Sequence, residues 1–467
     1  LITLPLLGKV IPRNSLEIEG NPWGIQAGSL DEEVLEKAGA IGVKWTRLGA
    51  SWPKIEKTKG VYDWSATDKA FNAALKYGIT PFVILGGSNG LYTKTYPHED
   101  RQKAELYGER PAPPTYNPVA MKAWSEFVEA AVLRYKDRIK YWEIWNEPDH
   151  HAYWGKGPDA KDYGKLVEVT ATLIKKLDPE AKVIVGATAG ILPEWTGEYL
   201  EMGFADKIDI ISYHQYGGEP EERFPKTLEL RKVIDKYNPD IETWQGECGY
   251  PSHSSSRDYR GISPWGLNIQ SKWLLRQAFT DVFFCKATLS NYFKLVHTGK
   301  RGELQERSML SAIDSILGFP ERGGSRVRTK GVNEKCLLTN PDLEPKPAYF
   351  TYQNLCSAMD DRYSITDVDH TIQVLDQGMF YGIGIEDDAF PSVPLVAGFV
   401  TAEGHNLIAY WLPWHPQEYT PDPAIINLEL RDCSFEKPVR IDLLTGKVYK
   451  LEEFESSNGN TVFSNIP

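Results

Sequence analysis

The sequence predicts an α/β protein, a (β/α)8 TIM barrel with a C-terminal antiparallel β-sandwich domain, and three observations carry that expectation. The chain has 467 residues, too many for one ordinary domain and enough for a large barrel beside a smaller partner. Its first 360 or so residues alternate short apolar runs with helical patterns, the rhythm of a parallel sheet. After about Arg362 the helical periodicity stops, and short strand-like runs separated by turn residues take over.

Eight apolar runs suit a closed barrel. They lie at residues 23–27, 43–48, 80–85, 141–145, 183–185, 209–213, 243–246 and 288–293. Each is nearly continuous in apolar character, as a strand buried on both faces should be. Helix signals fall between them. Ser29 with Glu32 reads as a capping box ahead of Leu30, Val34, Leu35 and Ala38. Asn117 caps a helix that starts at Pro118 and continues through Met121, Trp124, Phe127, Val128 and Ala131. Tyr163, Leu166, Val167, Thr170, Leu173, Ile174 and Leu177 recur at helical spacing, and Asp178–Pro179 ends that helix. Residues 347–359 read as the last barrel helix. The connections at 86–116, 249–264 and 298–345 are long, and in this fold extended loops after strands build binding sites.

The sandwich strands are expected at 365–368, 371–375, 395–401, 406–412, 425–430, 439–444 and 448–451. The resulting domains are 1–19, a segment joining the sandwich, 20–362, the barrel, and 363–467, the sandwich.

Composition narrows the partners. Hydrophobic residues make up 41% and charged residues 25%, an ordinary globular balance. The net charge of −12 disfavours nucleic acid, which calls for a basic excess. No apolar stretch approaches a membrane span, so a soluble protein is expected. Leu1 is not Met, which leaves open a removed signal peptide and a secreted, periplasmic or cytoplasmic location. The 14 Trp and 24 Tyr suit sugar binding, since indole faces lie against the C–H faces of sugar rings, yet core packing alone accounts for such numbers. Cys248, Cys285, Cys336, Cys356 and Cys433 show neither a CxxC nor a metal-type spacing, and their odd count leaves at least one thiol outside any intramolecular disulfide. The adjacent His150 and His151 have no surrounding ligand pattern, so neither a metal nor a cofactor is expected.

The strongest local signal is Tyr-Trp-Glu-Ile-Trp-Asn-Glu-Pro-Asp at 141–149. Pro148 stops the strand, so Asn146 and Glu147 stand at its C-terminal end, where this fold places catalytic groups. A carboxyl group among Trp142, Trp145 and Trp154 is partly desolvated. Desolvation raises its pKa and lets it hold a proton near neutrality, as a general acid must. Glu143, four residues earlier on the same face, reads instead as half of an ion pair inside the barrel.

Trp-Asn-Glu-Pro after the fourth strand resembles the acid/base motif of glycoside hydrolase clan A. The resemblance implies Glu147 as acid/base, Asn146 as the ligand of a sugar 2-hydroxyl, and a second catalytic Glu at the end of the seventh strand. Thr-Trp-Gln-Gly-Glu-Cys-Gly-Tyr stands there at 243–250, making Glu247 the implied nucleophile, with Gly246 and Gly249 expected to allow a tight turn. By the same resemblance Arg47 ends the second strand beside the nucleophile, and His214 and Tyr216 end the sixth, facing nucleophile and substrate. The segment 52–68, with Glu56, Gly60, Tyr62 and Trp64, resembles a structural part of the clan. Residues 112–149, Ser-Tyr-His at 212–214, Pro-Ala-Tyr-Phe-Thr-Tyr-Gln at 347–353 and Pro-Val-Arg-Ile-Asp-Leu-Leu-Thr-Gly at 438–446 are most similar to family thirty-nine and its neighbours, which include β-xylosidases.

That likeness implies double displacement with retention on an oligosaccharide or polysaccharide. An exo-acting β-glycosidase, xylosidase- or galactosidase-like, is the first expectation. An endo-acting hydrolase, a transglycosylase and a non-catalytic sugar-binding barrel are the alternatives. Trp154, Trp265 and Asn291, with Tyr292 and Phe293, are expected sugar contacts. The loops at 249–264 and 298–345 match no pattern that names the sugar.

Overall fold

Apolar runs separated by helices can satisfy every backbone group only if the strands pair with one another, and here they close on themselves. The structure is a computed structural model that describes residues 4–97, 110–252, 266–297, 335–340, 342–376, 394–413 and 423–467. Its barrel strands are Trp23–Gln26, Trp45–Ser51, Thr80–Gly86, Tyr141–Ile144, Lys182–Thr188, Ile210–Tyr213, Glu242–Cys248 and Leu289–Tyr292. All eight expected runs are strands. They pair in chain order, and the eighth returns to the first through Ser290 with Trp23 and Tyr292 with Ile25. A helix follows each strand, from Glu32–Ile41 after the first to Pro347–Ala358 after the last. Among the described residues, no helix is long and apolar enough to cross a membrane.

One expected cap is corrected. Asp31, not Ser29, occupies the N-cap of the first helix, and no side chain caps it. Ser29 Oγ instead donates to Asp31 Oδ2 at 2.8 Å. The helix starts at Glu32, which leaves Ser29 outside the first turn, while Glu32 and Glu33 still meet the positive end of the helix dipole. Asn117 does cap as expected, its side chain accepting from the Ala120 N–H at 2.7 Å.

The barrel interior is layered. An apolar plug of Phe82, Ile184, Ile210, Trp244 and Leu289 fills its N-terminal end, with Trp45 and Tyr141 packed against it. The Trp45 and Tyr141 rings meet edge to face at 4.9 Å, and the Phe82 and Trp244 rings at 5.3 Å. Above the plug the inward residues become polar or small: Arg47, Glu143, Ser212 and Asn291 are buried there among Gly24 and Gly246. Water is excluded below, so charge placed in this layer must be paired internally. The segment after the second strand is structural, as expected. Glu56 accepts from Trp52 Nε1 at 2.6 Å, from the Gly60 N–H at 2.7 Å and from the Tyr92 hydroxyl at 2.5 Å.

The C-terminal region is built from antiparallel sheets. Tyr363–Thr366, Leu395–Thr401 and Asn406–Trp411 form one, and His370–Asp376, Ile425–Leu430, Asn460–Ile466 and Phe454–Ser457 another. Leu6–Lys9 pairs with Lys447–Lys450, which pairs in turn with Val439–Asp442. The hairpin of Phe454–Ser457 and Asn460–Ile466 was not anticipated, although Asn458 and Gly459, both at positive φ, are the turn pair such a hairpin requires. Trp411 stacks on Phe279 of a barrel helix at 5.8 Å and donates to Glu221 at 2.8 Å, which fastens sandwich to barrel. All five cysteines are free and buried.

Candidate active site

The Trp-Asn-Glu segment leaves the fourth strand through a strained turn. Trp145 and Glu147 both have positive φ, 70° and 45°, a conformation that side-chain-bearing residues rarely adopt. Backbone bonds from Trp145 N–H to Leu85 O and from Glu147 N–H to Ala187 O, both 2.9 Å, hold the turn in place. The turn aims Asn146 at Arg47, whose Nη2 donates to Asn146 Oδ1 at 2.9 Å. Irregular register between Gly186 and Thr188, and between Gln245 and Cys248, shows that the neighbouring strands also kink at this end of the barrel.

Arg47 is the hub. Its guanidinium donates to Glu143 Oε2 at 2.6 Å and to Glu247 Oε2 at 2.6 Å, and it is 1% exposed. Burial alone would weaken its charge. The adjacent Glu143 and Glu247 carboxylates outweigh burial and move its pKa upward. Glu143 is wholly buried against Arg47, the ion pair its position suggested. The other oxygen of Glu247, Oε1, accepts from the Tyr216 hydroxyl at 2.6 Å. Burial, then the charge of Glu247, push the Tyr216 phenol well above its usual range, so it stays protonated and donates.

Glu147 sits in different surroundings. Burial raises its carboxyl pKa, partly opposed by the charges of His150, Arg47 and Lys335. His214 Nδ1 lies 3.1 Å from Glu147 Oε1. His214 is fully buried, and burial together with Arg47 pushes its pKa down to about 4. The imidazole is therefore neutral at pH 7. Among the described residues Nε2 has no hydrogen-bond partner, so the proton is best placed on Nδ1, donating to Glu147. Single ligand atoms of Glu147, His214 and Glu247 lie within 4.8 Å of one another. As a metal site this cluster is poor, because Arg47 and Tyr216 already occupy both oxygens of Glu247 and the guanidinium repels a cation.

The low pKa of His214 has a consequence for stability. In the unfolded chain this imidazole titrates near 6.5, against about 4 in the fold. The unfolded state thus binds the proton first, and the contribution is complete above pH 6.5 and is lost as pH falls towards 4. The loss should be on the order of 3 kcal/mol. Urea unfolding at pH 7 and pH 4.5 should show a smaller acid loss for His214→Gln than for the wild type; equal losses would remove His214 from the account.

The structure therefore brings Arg47, Asn146, Glu147, His214, Tyr216 and Glu247 together. It corrects three expected sugar contacts. Trp154 is fully buried behind the motif, edge to face with Trp145 at 5.6 Å, so it supports the turn and has no face open to a sugar. Asn291 is also fully buried. Its Nδ2 donates to the Gly246 carbonyl at 2.8 Å, which steadies the residue before Glu247. Tyr292 is 2% exposed and likewise packs inside. Trp265 lies outside the described residues. Gly246 and Gly249 are required by close approach rather than by a turn: a Cβ would meet Ser212 Oγ at 2.1 Å in one and the Phe293 carbonyl at 1.8 Å in the other. Lys335 was missed; its Nζ lies 4.2 Å from the centre of the Tyr216 ring.

Known proteins share this fold. The model of "Glycosyl hydrolases family 39" matches residues 54–239. Over that stretch, less than half of its length, the chain is similar to glycoside hydrolase family 39. A beta-xylosidase of Geobacillus stearothermophilus is 27% identical over 180 residues, 37% of this chain and 33% of the relative. A beta-xylosidase of Caldicellulosiruptor saccharolyticus is 33% identical over 110 residues, 21% of this chain and 22% of the relative. The chain thus spans a third or less of the length of these curated relatives. A family 39 glycoside hydrolase structure from Bacteroides cellulosilyticus WH2 shares the fold, with TM-score 0.61 and 17% identity over 95% of this chain and 79% of that one. The family-39 match contains Asn146, Glu147, His214 and Tyr216 but stops before Glu247, and it begins after Arg47. In this family-39-like chain those two residues rest on their geometry.

Proposed function

We propose that the protein is a retaining glycoside hydrolase in which Glu247 is the nucleophile and Glu147 the acid/base. The observation that carries this reading is the approach of the two carboxyl groups, which offer oxygens within 4.8 Å of each other. Double displacement needs carboxyl groups about 5 Å apart, whereas inversion needs room for a water between them.

The environments divide the labour. Arg47 and Tyr216 each donate to one oxygen of Glu247 and aim it at an anomeric carbon. Burial favours the protonated form of Glu147, which gives its proton to the leaving oxygen, and His214, donating to Oε1, leaves Oε2 as the oxygen that delivers it. After departure Glu147 is a carboxylate and accepts the proton of the water that attacks the glycosyl ester. Asn146 accepts from Arg47 through Oδ1, which leaves its Nδ2 to donate to a sugar 2-hydroxyl.

For substrate, the reading is an exo-acting β-glycosidase, in keeping with the beta-xylosidase relatives. A panel of aryl β-xylosides, β-galactosides and α-arabinofuranosides, run beside xylan and xylo-oligosaccharides, tests it. Release of single sugars from chain ends is expected. Mid-chain cleavage of polymer with no action on aryl glycosides would replace exo with endo, and binding without turnover of any sugar would leave a non-catalytic barrel.

A further inference from the structure

Lys335 is a charged group beside the catalytic pair that has no part in the mechanism above. Lys335 stands on residues 335–338, far in sequence from either catalytic motif. Its backbone is well anchored. Leu337 N–H donates to Lys294 O at 3.0 Å and Leu338 N–H to Leu295 O at 2.9 Å, laying the segment along the chain that leaves the eighth strand. Gln270 Nε2 donates both to Lys335 O at 3.2 Å and to Tyr250 O at 2.9 Å, tying the segment to the stretch that follows Glu247. The side chain then places its ammonium 4.2 Å from the centre of the Tyr216 ring and 5.9 Å from that of Phe293. The two rings meet edge to face at 6.0 Å and 90°, so the cation lies against a built aromatic corner.

We propose that Lys335 is a positioning residue of this active site: its ammonium fixes the Tyr216 ring in line with Glu247 and adds a positive charge felt by Glu147. The inference rests on the reading of Glu147 and Glu247 as the catalytic pair. Two effects follow from one contact. A cation on the ring face draws electron density from the phenol and makes its hydroxyl a stronger donor to Glu247 Oε1, 2.6 Å away. The same charge favours the ionised form of Glu147 and so limits how far burial raises that carboxyl group. Among the described residues, the other charged and titratable groups facing Glu147 are His214, Arg47, His150, Asp149 and Glu247; those facing Tyr216 are Glu247, Glu147 and Cys248. None of these others belongs to the 335–338 segment, so the Lys335 contribution can be removed separately.

The test compares Lys335→Met, which keeps length without charge, with Lys335→Arg, which keeps the charge. The 13C-carboxyl NMR titration of Glu147, assigned by its loss in Glu147→Gln, reads the charge without any substrate. The pH profile of kcat/KM on an aryl glycoside reads it in catalysis. Lys335→Met should move the Glu147 titration and the alkaline limb upward by roughly half a pH unit, and Lys335→Arg should restore both. A titration that stays put in Lys335→Met, or that moves equally in Lys335→Arg, overturns the inference. A shifted Glu147 titration in a protein that cleaves no glycoside would leave the electrostatic role standing and sink the hydrolase reading instead.

Discussion

Replacing Glu247 with Gly should abolish turnover and leave a protein that azide revives. The loss expected for removing a covalent nucleophile is roughly 10^4- to 10^6-fold in kcat. The fold should survive, because Arg47 keeps Glu143 at 2.6 Å and Asn146 at 2.9 Å after Glu247 is gone. The vacated carboxylate leaves a space beside the guanidinium that suits a small anion. Azide bound there attacks the anomeric carbon once, so the glycosyl azide should form with the configuration opposite to that of the substrate. Turnover persisting in Glu247→Gly would falsify the nucleophile assignment. An azide adduct of unchanged configuration would point to attack from the other face and to a different catalytic pair.

Glu147→Ala should give the second-largest effect, and its size should depend on the leaving group. A disaccharide departs as an alkoxide unless it is protonated, and general acid catalysis contributes about 10^2- to 10^4-fold. An activated phenol departs without help. With dinitrophenyl glycosides the first step should be nearly unimpaired, and the glycosyl-enzyme should accumulate because the base for water is missing. Burst kinetics across aryl glycosides of graded phenol pKa measure this. The alkaline limb of the wild-type pH profile, set by the raised Glu147 carboxyl, should disappear in the variant. A uniform loss across all leaving groups would mean that Glu147 only holds the strained turn together.

Much of this arrangement was legible in the chain because it depends on local patterns. Continuous apolar runs mark buried parallel strands, and all eight appear where those runs fall. Asn146 and Glu147 stand out because a proline follows an apolar strand. Glu247 needed strand counting, since Gly-Glu-Cys-Gly says little by itself. Depth was the quantity that did not show. Trp154 and Asn291 have sugar-binding chemistry, but one packs behind Trp145 and the other binds the Gly246 carbonyl. Nothing in Trp-Asn-Glu-Pro announces positive φ at Trp145 and Glu147, because that strain is imposed by bonds to Leu85 and Ala187 on neighbouring strands. Lys335 was unreadable for a similar reason. Its meaning comes from Tyr216, more than a hundred positions away, and only the closed barrel sets the two together. The cap at Asp31 was misplaced because Ser29 and Asp31 are both good caps, and where the helix starts decides between them.

The central claim is that Glu147 and Glu247 act by two displacements at one anomeric carbon. The most direct measurement is the 1H NMR spectrum of the sugar first released from an aryl glycoside, recorded before mutarotation. The first anomer to appear should have the configuration of the substrate. A first product of the opposite configuration would contradict it, and with it the role of Glu247 as a nucleophile.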